Sequence, residues 1–247
     1  MESEWLIELE EADVTRLDDA ETVLVRGVHW RIARGDFWVV GSPPGAGRTS
    51  LLATAAGLNR AGGGGVRIFG RSLEEASEAE QIRWRQRIGF VFEQGGRLLG
   101  QLTVAQNVAL ALRYHTTMSE DEIGAAVIQW LERIGLRAHA DVFPSRLTPI
   151  WQQRVALARA LIQPKEVLFV DNPPAGRTRD AAWWRHQLCE QAADGVTVVV
   201  GSNDFSQWLD TARQFAVVQD GQFRVIGGRE QVRVAAGAEW REYIMVD

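Results

Sequence analysis

The sequence predicts an α/β fold built on an open parallel sheet. Two observations carry that expectation. Three short runs, "DFWVVG" (36–41), "EVLFVDNPP" (166–174) and "GVTVVVGSND" (195–204), are apolar, rich in β-branched or aromatic residues, and end in polar or glycine positions. Strands buried on both faces of a parallel sheet read this way. The first run leads through a glycine-rich stretch, "GSPPGAGRTS" (41–50), straight into helix formers.

Along the chain, the run at 36–41 predicts a buried strand, and "TSLLATAAGL" (49–58) a helix. "AGGGG" (61–65) reads as a loop, followed by a strand at "VRIFG" (66–70). The Glu/Arg-rich stretch 71–87 reads as a solvated helix face, and "RIGFVFE" (87–93) as another strand. Helices are expected at about 104–113, 119–134 and 151–162. After the strands at 166–174 and 195–204, "FAVVQDGQFRVIG" (215–227) predicts a hairpin turning at Asp220-Gly221. There is no internal repeat.

Composition narrows the function classes. The chain has 247 residues, net charge −5 and 46% hydrophobic residues, which suits one large α/β domain or a core with a small subdomain. An acidic chain is a poor nucleic-acid binder, and no nucleic-acid partner is expected. The lone cysteine, Cys189, cannot form an internal disulfide. The acidic start "MESEWLIELEE" is not a secretory signal, and no apolar run approaches the length of a membrane span. Any membrane role is expected to be peripheral. Of the 27 basic residues only Lys165 is a lysine, so arginine for lysine on the surface reads as compositional bias.

The glycine stretch is close to the phosphate-loop pattern G-x-x-x-x-G-K-[ST]. Ser42 stands at the first glycine and Arg48 at the lysine, with Pro43, Pro44, Gly45, Ala46 and Gly47 between them and Thr49 and Ser50 after. In an open parallel sheet, ligands bind beyond the carboxyl ends of the strands. Ser42–Thr49, Asp171–Asn172 and Ser202–Asn203 all fall at such ends, and together they point to a nucleotide site.

Over nearly its full length the chain resembles the ATP-binding subunit of ABC transporters. The landmarks come in the same order: "SPPGAGRTSLL", "IGFVFEQ", "LTVAQNVALAL", "RLTPIWQQRVALARALIQPKEVLFVDNPP" and "VTVVVGSND". "QQRVALARAL" (152–161) is the most specific of them. The "NVALALRYHT" region, with Arg16 where many relatives carry an adenine-stacking aromatic, most resembles the ATPase subunits of Mla-type, MCE-associated phospholipid transporters. The resemblance implies a P-loop NTPase (RecA-like) core with an N-terminal antiparallel β subdomain and an inserted helical subdomain. It implies a split core at 1–92 and 163–227, a helical subdomain at 93–162 bearing the signature, and a C-terminal helical tail at 228–247.

The resemblance implies Thr49 and Asp171 as the candidate Mg²⁺ ligands, but against the family pattern the catalytic positions are altered. The signature, LSGGQ in relatives, is Leu147, Thr148, Pro149, Ile150 and Trp151. Proline lacks an N–H and isoleucine adds a branched side chain where relatives bring backbone close to the γ-phosphate. Arg48 keeps the lysine's charge but not its compact shape. Asn172 replaces the glutamate that activates water and cannot accept its proton. Glu93 replaces the Q-loop glutamine, and Ser202 the switch histidine. Trp151 is equally readable as a helix-start anchor or as a contact across a dimer.

The resemblance therefore implies a decayed or repurposed ATPase subunit. ATP binding is expected to be weak and without hydrolysis, and Mg²⁺ is expected to aid it by offsetting Glu93 and Asp171. The expected partners are a transmembrane permease and a second ATP-binding subunit, with a heterodimer favoured over a homodimer, at the cytoplasmic face of the plasma (inner) membrane. Two alternatives stand beside this: an unconventional active ATPase with Glu93 as base, and a permease-independent scaffold or regulatory protein. In relatives a permease helix docks beside the segment after the Q-loop. Here Leu98, Leu99 and Leu102, flanked by Gly95, Gly96 and Gly100 in what reads as a mobile loop, are the docking candidates.

Overall fold

The computed structural model of the chain describes residues 5–93 and 97–235. In chain order the elements are β1 (Trp5–Arg16), β2 (Asp19–Ala33), β3 (Phe37–Gly41), α1 (Arg48–Ala55), β4 (Ala61–Ile68), β5 (Arg71–Ser72), α2 (Glu78–Arg87) and β6 (Ile88–Val91). Three helices follow: α3 (Val104–His115), α4 (Glu120–Arg133) and α5 (Pro149–Leu161). The chain then forms β7 (Val167–Asp171), α6 (Arg179–Ala193), β8 (Thr197–Gly201), β9 (Gln214–Gln219), β10 (Gln222–Gly227) and α7 (Arg229–Ala235). The contacts divide into two compact units, residues 1–88 with 166–247, and residues 89–165.

The first unit carries both an antiparallel and a parallel sheet. The antiparallel sheet has the order β2-β1-β4-β5. In the other, β10-β9-β3-β8-β7 lie side by side, with β3, β7, β8 and β9 parallel to their neighbours and β10 antiparallel to β9. Every residue of β3, β7 and β8 is buried, which is why these strands read as unbroken apolar runs. The β9–β10 hairpin turns at Asp220 (φ 50°) and Gly221 (φ 71°). Two successive positive φ values match the right-handed twist of the flanking strands, and the pair was legible as a turn for that reason. Val40 pairs with Gly201, and Asp171 pairs with Gly201 from the other side. The carboxyl ends of β3, β8 and β7 are thereby level, and their exit loops begin together.

The glycine run at 61–65 departs from the sequence reading. It is not a loop: Ala61 to Gly65 belong to β4 and pair with β1, with Asp13 opposite Gly63 and Glu10 opposite Gly65. The register shifts between those two pairs. At the shift Gly64 has φ 72°, and a Cβ there would stand 2.0 Å from the Glu11 carbonyl oxygen. The glycines let a bulged strand press against its neighbour's backbone. Gly64→Ala is accordingly expected to cost about 2 kcal/mol or more, since left-handed strain alone accounts for 1–2. Denaturant unfolding measures this, and Gly65→Ala, where nothing lies within 4 Å of the added atom, serves as the comparison.

The stretch 71–87 is a helix only from Glu78. Ser77 caps it in a reciprocal capping box with Glu80, and the helix is solvated except for Trp84, which is buried. Of the expected tail at 228–247, α7 lies within the described residues, and 236–247 lie outside them.

In the second unit all three expected helices form. Thr103 with Gln106 and Ser119 with Glu122 make capping boxes that start α3 and α4. Thr148 caps α5, accepting from the Trp151 N–H, and Pro149 occupies its first turn. Buried residues of α3 (Val104, Val108, Leu112), α4 (Ile123, Val127, Leu131) and α5 (Leu157, Leu161) fall at helical spacing and form the unit's core.

Candidate nucleotide site

Between β3 and α1 the chain makes a tight glycine loop. Gly45 (φ 78°) and Gly47 (φ 101°) are both left-handed, and the Ala46 N–H donates to the Pro43 carbonyl at 3.2 Å. Gly47 is the N-cap of α1, and a Cβ there would lie 2.9 Å from the Leu24 Cβ on β2. Only glycine satisfies both demands. Such a loop turns backbone amides toward a concavity at a helix N-terminus, an arrangement suited to anions. Pro43 and Pro44 remove two donors from it. Ser42 and Ser50 are buried, while Pro44 and Gly45 are exposed.

Arg48 does not extend into solvent. Only 6% of it is exposed. Its Nε donates to Asp171 Oδ1 at 3.2 Å, and its Nη1 donates to Asn203 Oδ1. Thr49 Oγ1 donates to the other carboxylate oxygen, Asp171 Oδ2. Asp171 is fully buried at the end of β7. The neighbouring strand provides the room: a Cβ on Gly201 would lie 2.8 Å from both Arg48 Nε and Asp171 Oδ1. Sequence reading brought Thr49 and Asp171 to one site, and the structure places them in contact. It missed the Arg48–Asp171–Asn203 network. The signals present were an arginine in the lysine position and a glycine ending β8.

Asn172 follows Asp171 in a left-handed conformation, φ 47°, and its backbone N–H donates to the Gly201 carbonyl at 2.9 Å. Asparagine tolerates that region better than most residues. Ser202 is buried, and its hydroxyl is engaged in its own turn. It donates to the Asp204 carbonyl at 2.9 Å and accepts from the Asp204 N–H at 3.2 Å. The Ser206 N–H then bonds Asp204 Oδ1 at 2.8 Å. These are local side-chain turns of the kind serine and aspartate form.

The remaining candidate positions lie in the second unit. Glu93 is exposed. Leu147 is buried, Thr148 caps α5, Pro149 sits in the first turn, and Ile150 is 37% exposed. The Trp151 ring meets His139 edge-on at 4.9 Å between centroids, which gives it an anchoring contact within the unit. Leu98 and Leu102 are half-buried and Leu99 is 41% exposed. The segment from Leu99 to Thr103 is not the loose loop its glycines suggested. Fully buried Asn107 accepts from the Leu99 N–H at 2.8 Å and donates to the carbonyls of Leu99, Leu102 and Thr103 at 3.0–3.1 Å. One amide pins the turn, a role invisible in the sequence because it depends on the fold of α3's first turn. Gly95 and Gly96 lie outside the described residues. Among the described residues no group of three or more His, Cys, Asp or Glu is placed to hold a metal.

A parallel strand, a loop with two left-handed glycines, a helix, and a carboxylate ending a strand of the same sheet define a nucleotide site of the phosphate-loop class. The sequence pattern of the ABC transporter family matches residues 25–175, and the chain belongs to that family. It is 32% identical over 247 residues to the macrolide export ATP-binding/permease protein MacB of Syntrophobacter fumaroxidans, covering 95% of this chain and 34% of MacB. It is 33% identical over 214 residues to the sulfate/thiosulfate import ATP-binding protein CysA of Synechococcus elongatus, covering 84% of this chain and 59% of CysA. It is 31% identical over 224 residues to the methionine import ATP-binding protein MetN of Ligilactobacillus salivarius, covering 87% of this chain and 63% of MetN. The chain thus spans about a third to three-fifths of these relatives' lengths. Among solved structures it is similar to a dimeric ATP-binding cassette in a post-hydrolysis state bound to ADP and Pi. There the TM-score is 0.79 and the identity 26%, with 90% of this chain and 99% of the cassette covered. The α/β P-loop fold with an antiparallel β subdomain is that of ABC ATPase cassettes.

The family's ATP has a loop to meet it here. The Mg²⁺ that accompanies ATP in the family fits poorly. Both oxygens of Asp171 already accept hydrogen bonds, one of them from a buried guanidinium, so a divalent cation on this carboxylate would have to take Oδ2 from the Thr49 hydroxyl and stand beside the Arg48 charge, or displace Arg48 from Oδ1.

Proposed function

We propose that this chain is a nucleotide-binding, hydrolysis-impaired subunit of an ABC transporter. In this reading it sits peripherally on the cytoplasmic face of the membrane. It docks on a transmembrane permease and pairs with a second, intact ATP-binding subunit, contributing shape and regulation more than turnover. No helix among the described residues is long and apolar enough to cross a membrane, which fits a peripheral place. The observation that carries the reading is at Asn172. The position from which water would be activated holds an amide with no proton-accepting carboxylate, while Ser202 is engaged by Asp204. The altered signature supports it, since Pro149 leaves the start of α5 without one N–H and Ile150 covers it with a branched side chain.

Nucleotide binding is retained but weak in this reading, because Gly45 and Gly47 keep the loop's shape while two prolines remove donors. Phospholipid is the substrate class we favour, on the likeness of "NVALALRYHT" and Arg16 to Mla-type subunits. The experiment that tests the reading measures ATP binding by calorimetry and phosphate release on the same preparation. Binding without release sustains it, and turnover at the rate of ordinary cassettes sinks it.

The docking part of the proposal has its own test. Leu99 is exposed and its backbone is pinned on both sides by Asn107, so its side chain can change without loosening the turn. Leu99→Asp is expected to move the chain from the membrane to the soluble fraction with its melting temperature nearly unchanged. If Leu99→Asp stays on the membrane, the segment is not the docking surface.

A further inference from the structure

We propose that Arg48 stands in for the divalent cation, so that this site takes a nucleoside triphosphate as the metal-free anion. The inference rests on the nucleotide reading above and specifies its ionic form. Three independent features point to it.

The first is charge. Asp171 is 0% exposed, and a carboxylate so buried requires an opposite charge or protonation. Where a phosphate loop uses Mg²⁺, the metal supplies that charge only when nucleotide is bound. Here the guanidinium of Arg48 supplies it permanently, as part of the fold. The second is geometry. Arg48 is held at two points, Nε on Asp171 Oδ1 at the end of β7 and Nη1 on Asn203 Oδ1 in the loop that leaves β8. A planar guanidinium can serve two acceptors with fixed directions, which an ammonium cannot do as rigidly. The third is space. β8 ends in a glycine whose missing side chain is what admits the pair, since any Cβ at Gly201 would stand 2.8 Å from both partners. The niche is shaped for the arginine.

Together these invert the usual dependence on metal. A cation on Asp171 would either draw Arg48 from Oδ1, trading one buried ion pair for another, or take Oδ2 from Thr49 and stand against the fixed guanidinium charge, so added Mg²⁺ gains little. Arg48 instead keeps a fixed positive charge beside the N-terminus of α1, where the loop's amides already favour an anion. The site would then hold nucleotide in the same ionic state at any free Mg²⁺ concentration, as a structural ligand and not as a substrate poised for metal-assisted transfer.

The test is a calorimetric titration of the full chain with ATP, in excess EDTA and in millimolar MgCl₂, repeated on Arg48→Lys. The expected result is affinities within about twofold of each other for the natural chain, and a gain of about tenfold or more from magnesium for Arg48→Lys, whose ammonium lacks the planar two-point hold on Asp171 and Asn203 and so yields the carboxylate to a cation more readily. Magnesium tightening the natural chain's binding tenfold overturns the proposal. If no ATP binds under either condition, the nucleotide reading fails, and the metal claim is decided separately by electron paramagnetic resonance with Mn²⁺ alone. Manganese left free by the natural chain but taken up by Arg48→Met sustains the displacement of the cation. Uptake by both, or by neither, overturns it.

Discussion

Arg48→Met is expected to destabilise the fold by about 3–5 kcal/mol, the usual cost of leaving a buried charge without its partner. For a chain of this size that corresponds to a fall of roughly 10 °C in melting temperature. Methionine keeps the apolar stem of Arg48 in place, so the loss isolates the charge. It takes the guanidinium from Asp171, which keeps the uncharged Thr49 donor on its other oxygen. The double variant Arg48→Met, Asp171→Asn should recover at least half of the loss, because removing both charges from a buried pair is far milder than removing one. Thermal unfolding of the two variants side by side is the measurement. A single variant that melts with the natural chain would mean that the pair contributes nothing, despite its burial.

The second large effect concerns turnover. The chain is expected to release phosphate on the order of 10²–10⁴ times more slowly than cassettes with an intact base, the range that general-base losses span. Restoring the carboxylate alone, Asn172→Glu, should not rescue it. Position 172 holds φ 47°, which asparagine tolerates better than glutamate, so the new side chain enters a strained backbone costing about 1–2 kcal/mol. Ser202 would still be bound to Asp204, and Pro149 would still lack its N–H. A single-turnover assay on Asn172→Glu decides this: recovery to within tenfold of ordinary cassettes would show that the base was the only missing part.

The parallel core was legible because its strands are buried on both faces. "WVV", "VLFV" and "TVVV" carry the signal without help from partners, and their polar ends marked where the site begins. The Asp220-Gly221 turn was legible for the same local reason. What depended on pairing was not. "AGGGG" has a loop's composition, and only the approach of the Glu11 carbonyl to Gly64 reveals a bulged strand. The long strands β1 and β2 were expected only through family likeness, since their half-buried alternation is broken by register shifts. Arg48 and Asp171 are 123 residues apart, and their contact follows from strand register that no spacing rule supplies. Asn107 misled in the opposite direction: glycines suggested a mobile turn, and a buried amide held it.

The proline that opens α5 bears on how such a chain ages over generations. Proline is among the residues best suited to the first turn of a helix, where its fixed φ is preorganised and its missing hydrogen is an orphan in any case. Thr148 in front of it caps the helix. If turnover is lost as proposed, a helix start freed from meeting a ligand can adopt what the helix itself prefers. Each such substitution would raise the barrier to regaining turnover while leaving the fold as firm or firmer. On that proposal the lineage would be held away from hydrolysis by its own stability, with no selection against the activity being required.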